Sequence, residues 1–261
     1  MTLPGRRITS RDNPIFRQAL ALTQSARERR RLGHSILEGI HLCQAWLERP
    51  EPPVLALVST SARAHPEVAA LLMRLPSAAV ELSDALFGSL STLQAGVGVA
   101  LVVDTPHPEL PTRIDADAVY LDRLQDPGNV GTLLRTCAAA GIGRVITAPG
   151  TAWCWSPKVL RAGMGAHVHL SIHEAVPWVA LRERLGCLVV GTRARSAACL
   201  FETDLRAPTV WVMGNEGEGV CDEIARDVQC WVRIPQAPAV ESLNVATAAA
   251  VCLFEQRRQR R

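Results

Sequence analysis

Three stretches of this sequence carry polar residues that a buried core has no use for. In the first, DRLQDPGNVGTLLRTCAAAG over 122–141, Pro127, Gly128, Asn129 and Gly131 make a turn, and Arg135 falls in the second turn of the helix that follows. An amide near a helix N-terminus and a guanidinium about one and a half turns further on either address one ligand or are a cap and a solvent-facing cation. The second, VMGNEGEGV over 212–220, leads an apolar run into Gly214, Gly217 and Gly219 interleaved with Glu216 and Glu218. Strand, glycine turn and helix present backbone N–H groups to a ligand. The glycines do not follow G-x-G-x-x-G, and no Lys-Ser/Thr completes a phosphate loop. Two acids repel a pyrophosphate, so the loop suits a ligand with a cationic part or one held by neutral backbone contacts. The plainer alternative is an ordinary turn with an acid at a helix N-terminus, where the helix dipole favours it. In the third stretch, IPQAPAVESLNVATAAAVCLFEQRRQ over 234–259, Pro235 and Pro238 keep the chain out of regular structure, and Ser242 and Asn244 open the final helix. Ser242 suits an N-cap, which leaves Asn244 in the first turn with no structural duty.

These loops need a scaffold, and the flanking sequence supplies one. Six apolar runs, AVYLDRL, RVITAP, VHLSIH, CLVVGT, TVWVMG and CWVRIP, alternate with helical patterns at 128–140, 156–165, 174–185, 217–227 and 242–259. Strands rich in Val and Ile that alternate with helices predict an α/β fold with a mostly parallel sheet covered on both faces. Ligands of such sheets sit beyond the carboxyl ends of the strands, where the three polar loops fall. Before this region, DTPHPELPTRIDAD (104–117), with three prolines and four acids, reads as an exposed linker. Ahead of it, a helix over 14–31 and the runs SILEG, VLALVST and VGVALVVD predict a small α/β domain. The expected organisation is therefore a domain over 1–103, a linker over 104–117 and a second domain over 118–261.

Composition narrows the partners. The 261 residues are 48% hydrophobic, with no apolar run of membrane-spanning length and no apolar centre of a secretory signal in MTLPGRRITSRDNP; the expectation is a cytoplasmic protein without a membrane partner. Eight cysteines without a C-x-x-C pair lack zinc or redox spacing, so buried free thiols and no metal are expected. The net charge of +3 favours no partner, but residues 1–31 hold eight arginines, Arg6, Arg7, Arg11 and Arg17 among them, against Asp12 and Glu28. That is the footprint of a polyanion-binding face, or a solvated surface in a chain whose only lysine is Lys158.

Taken together, the three loops resemble the three motifs of the SPOUT superfamily of RNA methyltransferases, in its SpoU/TrmH branch of 2′-O-ribose methyltransferases. Asn129, Gly131 and Arg135 match the first motif; Gly214, Glu216 and Gly219 the second; Ile234, Pro235, Ser242, Leu243, Asn244 and Val245 the third. RRITSRDNPIFRQAL followed by ILEGIHL is similar to the start of a ribosomal-protein-like substrate-binding domain that many members carry. This chain departs from the family pattern after Ile-Pro, where Gln236, Ala237 and Pro238 stand in place of the usual Met and Gly.

The resemblance implies a trefoil-knotted methyltransferase domain, S-adenosyl-L-methionine as cofactor, and a homodimer with its sites at the interface. It implies that Arg135 is catalytic, gripping a phosphate beside the target ribose and stabilising the forming alkoxide, with Asn129 and Asn244 orienting it. Gly214, Ile234 and Leu243 are expected to contact the cofactor, mainly through backbone, while Glu216 and Ser242 border the substrate side. An N-terminal domain of this type points to ribosomal RNA, the alternatives being a tRNA 2′-O-methyltransferase or a catalytically silent RNA-binding module. A nucleotide-dependent oxidoreductase would explain the strand-glycine-helix passage but would leave Arg135 idle.

Overall fold

The computed structural model of the chain describes residues 6–93 and 96–261. It divides into two compact units. One runs to Pro106 and takes in Trp155–Val168; the other comprises His107–Cys154 and His169–Arg261.

The first unit is built on β1 (Arg7–Ile8), α1 (Pro14–Gln24), α2 (Ala26–Leu32), β2 (His34–Glu38), α3 (Ile40–Trp46), β3 (Leu55–Ser59), α4 (Pro66–Met73), β4 (Val80–Leu82), α5 (Asp84–Leu90) and β5 (Val99–Asp104). Its sheet runs β1-β4-β3-β5-β2, with β5 antiparallel to both neighbours. Phe16, Leu22, Ile36, Leu57, Leu82 and Phe87 fill one face of it. The helix expected over 14–31 is two helices. Ser25 is extended (φ −118°, ψ 113°) and ends α1, and its hydroxyl accepts from Glu28 N at 3.2 Å to begin α2, the competition with helix continuation that makes serine a good cap. Arg29 turns inward and donates to Leu22 O at 2.7 Å, so one of the eight N-terminal arginines holds the fold. Strands β1 and β4, two and three residues long, are too short to leave a periodic signal.

The rest of the chain adds β6 (Ala118–Leu121), α6 (Pro127–Ala140), β7 (Arg144–Thr147), α7 (Pro157–Gly163), β8 (Ser171–His173), α8 (Trp178–Arg182), β9 (Leu188–Thr192), β10 (Ala198–Cys199), β11 (Thr209–Met213), α9 (Asp222–Ala225), β12 (Cys230–Arg233) and α10 (Val245–Gln259). Residues 155–168, placed in the second domain by sequence, pack in the first unit. The cause is aromatic: Trp155 is almost fully buried and meets Trp46 edge to face, with centroids 6.3 Å apart, and an indole buries more apolar area than most side chains.

In the second unit the six expected strands and the two-residue β10 form one sheet, β10-β12-β9-β11-β6-β7-β8, in which every pairing is parallel. Strands β6 and β11 are buried at every position, as central strands covered on both faces must be. The chain builds from β6 through β7 and β8 on one side and then returns to the other with β9, β11 and β12. The order therefore reverses at the β6–β11 pair, and a crevice opens beyond the carboxyl ends of strands at such a reversal. Two helices are shorter than their patterns. α8 begins only after Pro177, and α9 keeps four residues because Asn215 and Gly219 pair backbone to backbone, with Gly219 at φ +72°. The proline-rich stretch from His107 onward is mostly exposed but held down: Ile114 is buried and bridges Leu185, and Arg184 donates to the carbonyls of Leu110 and Pro111. Among the described residues no helix is long and apolar enough to cross a membrane.

Candidate functional site

The glycine loop after β11 folds tightly on itself. A Cβ at Gly214 would lie 2.4 Å from the backbone of Gly219 and Val220, so only glycine lets the two ends of the loop approach this closely. Asn215 accepts at Oδ1 from Gly217 N (2.9 Å) and Glu218 N (3.1 Å), and its amide donates to Arg123 O at 2.8 Å. Arg123, in the left-handed region at φ +56°, donates to Asp122 at 2.9 Å and to Glu218 at 2.7 Å. Asp122, only 1% exposed, accepts from Cys221 N at 2.8 Å. Both ends of the loop are thereby tied to the carboxyl end of β6. Asp122, Arg123 and Asn215 are site-building residues that sequence reading missed: the pair Asp-Arg lay inside the run AVYLDRL and read as strand.

Asn129, Glu216 and Asn244, one from each polar loop, form a hydrogen-bonded chain. Asn244 Nδ2 donates to Asn129 Oδ1 at 2.9 Å, and Asn129 Nδ2 donates to Glu216 Oε1 at 3.0 Å. Gln125 N and Asp126 N also reach the Glu216 carboxylate, each at 3.3 Å. Burial pushes the Glu216 carboxyl up, and the hydrogen bonds from Asn129, Gln125 and Asp126 more than offset it, holding the group below the usual glutamate value. Asn129 is free for this contact because Asp126 caps α6, accepting from Asn129 N at 2.8 Å.

Asn244 lies not in the first turn of α10 but at its N-cap, where Oδ1 accepts from Ala246 N (2.9 Å) and Thr247 N (3.3 Å); Ser242 does not cap. Asn and Ser cap comparably, and Asn244 prevails here because its amide bonds the helix with one end and Asn129 with the other.

A cleft of about 420 Å³ opens beside this chain, lined by Gly214, Glu216, Ile234, Ser242, Leu243 and Asn244. Thr192 at the end of β9, Arg193 and Ala194 after it, Gln236, Val220, Val245 and Ala248 also line it. The guanidinium of Arg193 lies 3.5 Å from the Trp231 ring centroid, a cation–π contact that fixes its position. Gly191 makes room, since a Cβ there would sit 2.6 Å from the Trp231 ring. Sequence reading passed over Arg193, though GTRARS is as polar a strand exit as the other three.

Arg135 stands apart from these residues. It is exposed near the middle of α6, does not line the cleft, and makes no hydrogen bond or ion pair among the described residues. Six residues beyond Asn129, it lies roughly 9 Å along the helix and about 120° around it. In the first unit Arg6, Arg11 and Arg17 are exposed without an ion pair among the described residues, while Arg7 approaches Glu81 at 3.4 Å. None of the eight cysteines is in a disulfide; five are buried and three half-buried.

Apolar walls from Val220, Ile234, Leu243 and Val245, one carboxylate and one guanidinium suit a ligand with a flat apolar part and separated charges better than a string of phosphates. Known proteins agree with that chemistry. An uncharacterised tRNA/rRNA methyltransferase of Synechocystis is 33% identical over 97% of this chain and 93% of its own. The 23S rRNA (uridine(2479)-2′-O)-methyltransferase of Streptomyces viridochromogenes is 30% identical over 99% of this chain and 94% of its own. The crystal structure of the SpoU methyltransferase AviRb from the same organism, in complex with the cofactor AdoMet, superposes with a TM-score of 0.86 at 29% identity, covering 95% of this chain and 98% of that one. The model of the SpoU rRNA methylase family matches residues 117–254, a span that holds Asn129, Arg135, Glu216, Ser242 and Asn244 from the three polar loops, and the chain belongs to that family.

Proposed function

We propose that this protein transfers a methyl group from S-adenosyl-L-methionine to a ribose 2′-hydroxyl of ribosomal RNA. The observation that carries the proposal is the chain Asn244–Asn129–Glu216, which joins all three loops at the edge of one cofactor-sized cleft. The cofactor supplies an electrophilic methyl on a sulfonium. Held at Gly214, Ile234 and Leu243, it would give that methyl to the 2′-oxygen and be left as a neutral thioether, with the hydroxyl proton released to solvent. The chemistry calls on no metal.

The chain's own residues hold the partners of this exchange. The backbone turn at Gly214 and the side chains of Ile234 and Leu243 form the cofactor wall, and the absence of a phosphate-binding set fits a ligand that has none. Glu216 remains ionised, and beside a sulfonium its charge is favourable where a pyrophosphate would be repelled. Asn129 and Asn244, locked to each other, present a fixed polar edge, and Ser242 borders it on the substrate side. A 2′-hydroxyl is a very weak acid, so stabilising its developing negative charge and holding it in line with the methyl lower the barrier. A guanidinium keeps its proton; Arg135 acts as the cation that grips the neighbouring phosphate and faces the forming alkoxide.

The exposed position of Arg135, without a partner among the described residues, supports a homodimer in which a second copy brings substrate and arginine together. Phe254, 47% exposed on α10, gives that surface an apolar anchor, and α10 packs on α6, which carries Arg135. The knotted path implied by the resemblance belongs to this reading; its support is that the passage after β12 and the start of α10 share one cleft with the β11 loop. Residues 1–103 serve as the RNA-binding domain, with Arg6, Arg7, Arg11 and Arg17 on phosphates, and the protein works in the cytoplasm. Mapping of ribose methylation in RNA from cells with and without the protein tests the substrate. One ribosomal position is expected to lose its methyl; loss from a tRNA alone would move the substrate there.

A further inference from the structure

We infer that Gln236 recognises the adenine of the cofactor through its side-chain amide. The inference rests on the reading of the 420 Å³ cleft as the cofactor site. Gln236 follows Ile234-Pro235 just beyond β12 and lines that cleft. Its Oε1 is buried and accepts no hydrogen bond among the described residues. A buried acceptor without a donor is costly, and native structures rarely leave one. The residue as a whole is only half-buried, so rotation of the side chain brings this oxygen to the cleft, where a donor that arrives with the ligand pairs it.

The surroundings select the donor. Ile234, Leu243 and Val245 make this part of the wall apolar, while the charged side chains of the lining are Glu216 and Arg193. A cationic sulfonium or ammonium is best met by the carboxylate. The one donor that S-adenosyl-L-methionine carries on a flat, weakly polar group is the 6-amino group of its adenine. A glutamine amide is complementary to adenine, accepting from that amino group and donating to a ring nitrogen beside it. The family resemblance leads to the expectation of Met here, a side chain with no comparable acceptor, so this reader belongs to the present chain.

The test is calorimetric titration of the full-length protein with S-adenosylhomocysteine and with its purine counterpart, in which hydrogen replaces the 6-amino group. The wild type is expected to prefer the adenine compound about 10-fold or more, the discrimination that a paired amide provides against a base lacking its partner group. Gln236→Met is expected to bind both compounds within about 3-fold of each other, with apo melting close to wild type. Ala248→Leu, which adds bulk to the cleft wall, is expected to weaken both compounds. If Gln236→Met keeps the wild-type preference, or the wild type shows none, the inference is overturned. If Ala248→Leu leaves both affinities unchanged in a folded protein, the cleft is not the cofactor site, and that wider reading falls along with the inference. Loss of both ligands in Ala248→Leu with an unaltered preference in Gln236→Met overturns the role of Gln236 alone.

Discussion

Asn244 has two jobs that substitution can separate. Its Oδ1 caps α10 through Ala246 N and Thr247 N, and its Nδ2 holds Asn129, which holds Glu216. Alanine removes both. Loss of an Asn cap costs about 1 kcal/mol, and loss of an exposed side-chain hydrogen bond adds about 0.5 kcal/mol. Asn244→Ala should therefore lower the melting temperature by roughly 3–6 °C for a chain of this size. Asn244→Asp keeps a good cap but has no amide to donate, and it sets a second acid close to Glu216. It should melt near the wild type, yet lose about 100-fold in methyl transfer, the scale at which small misplacements of reacting groups act. Calorimetry and transfer of labelled methyl to unmodified ribosomal RNA measure the two effects on the same preparations. Full activity in Asn244→Asp would refute the positioning role, and a fall of tens of degrees in Asn244→Ala would show that the residue is chiefly structural.

Arg135→Ala should abolish transfer while leaving cofactor affinity within a few-fold by calorimetry; because the side chain is exposed and unpartnered, the melting temperature should barely move. Glu216 is held low by its hydrogen bonds, so its ionised form is retained above the unfolded value and lost as pH falls through the lower folded one. The acid limb of the rate profile should therefore lie below the ordinary glutamate pKa of about 4.3 and move upward in Asn129→Ala, which removes one of those bonds; an unmoved limb would exclude Glu216 as its source. Replacing Arg11 and Arg17 with Glu should weaken RNA binding and make its salt dependence shallower, by about 0.7–0.9 in logarithmic slope for each lost phosphate contact. Light scattering should show a dimer for the wild type, with Phe254→Asp shifting it to monomer and reducing transfer; an active monomer at micromolar concentration would contradict shared sites.

The parallel sheet was legible because β6, β7, β9, β11 and β12 are runs of four or five residues, each with at least one Val among other apolar residues, that alternate with helical patterns, and burial on both faces demands an apolar composition. Glu216, Ser242 and Asn244, which line one cleft, stood out because polar types interrupt strand exits where a core has no use for them, whereas Gly214, Ile234 and Leu243 on the same wall were expected to contact the cofactor only through the family resemblance. Tertiary pairing left fainter marks. The capping duty of Asn244 depends on where Pro235 and Pro238 release the chain, and nothing local separates it from Ser242. Asp122 and Arg123 are adjacent in sequence to a strand, and their partners Cys221 and Glu218 lie nearly a hundred residues away. Trp155 carries its segment into the first unit through Trp46, a contact between two indoles with no shared periodicity. Arg193 was hidden for a different reason: the residues that follow β9, Arg193 to Ala197, hold no glycine or proline of the kind that marked the other loops.

The methyl acceptor proposed for this protein is a ribose 2′-oxygen. Purified protein, S-adenosyl-L-methionine labelled in the methyl group and unmodified ribosomal RNA test it directly through alkaline hydrolysis of the product. Alkali cleaves RNA by attack of the 2′-oxygen on the adjacent phosphate, so a 2′-O-methyl protects that one linkage. The label is expected in a single alkali-stable dinucleotide, and to be absent from it when the Arg135→Ala variant is used. Label recovered in mononucleotides would place the methyl on a base, and an unlabelled RNA would remove the activity altogether; either result would contradict the account.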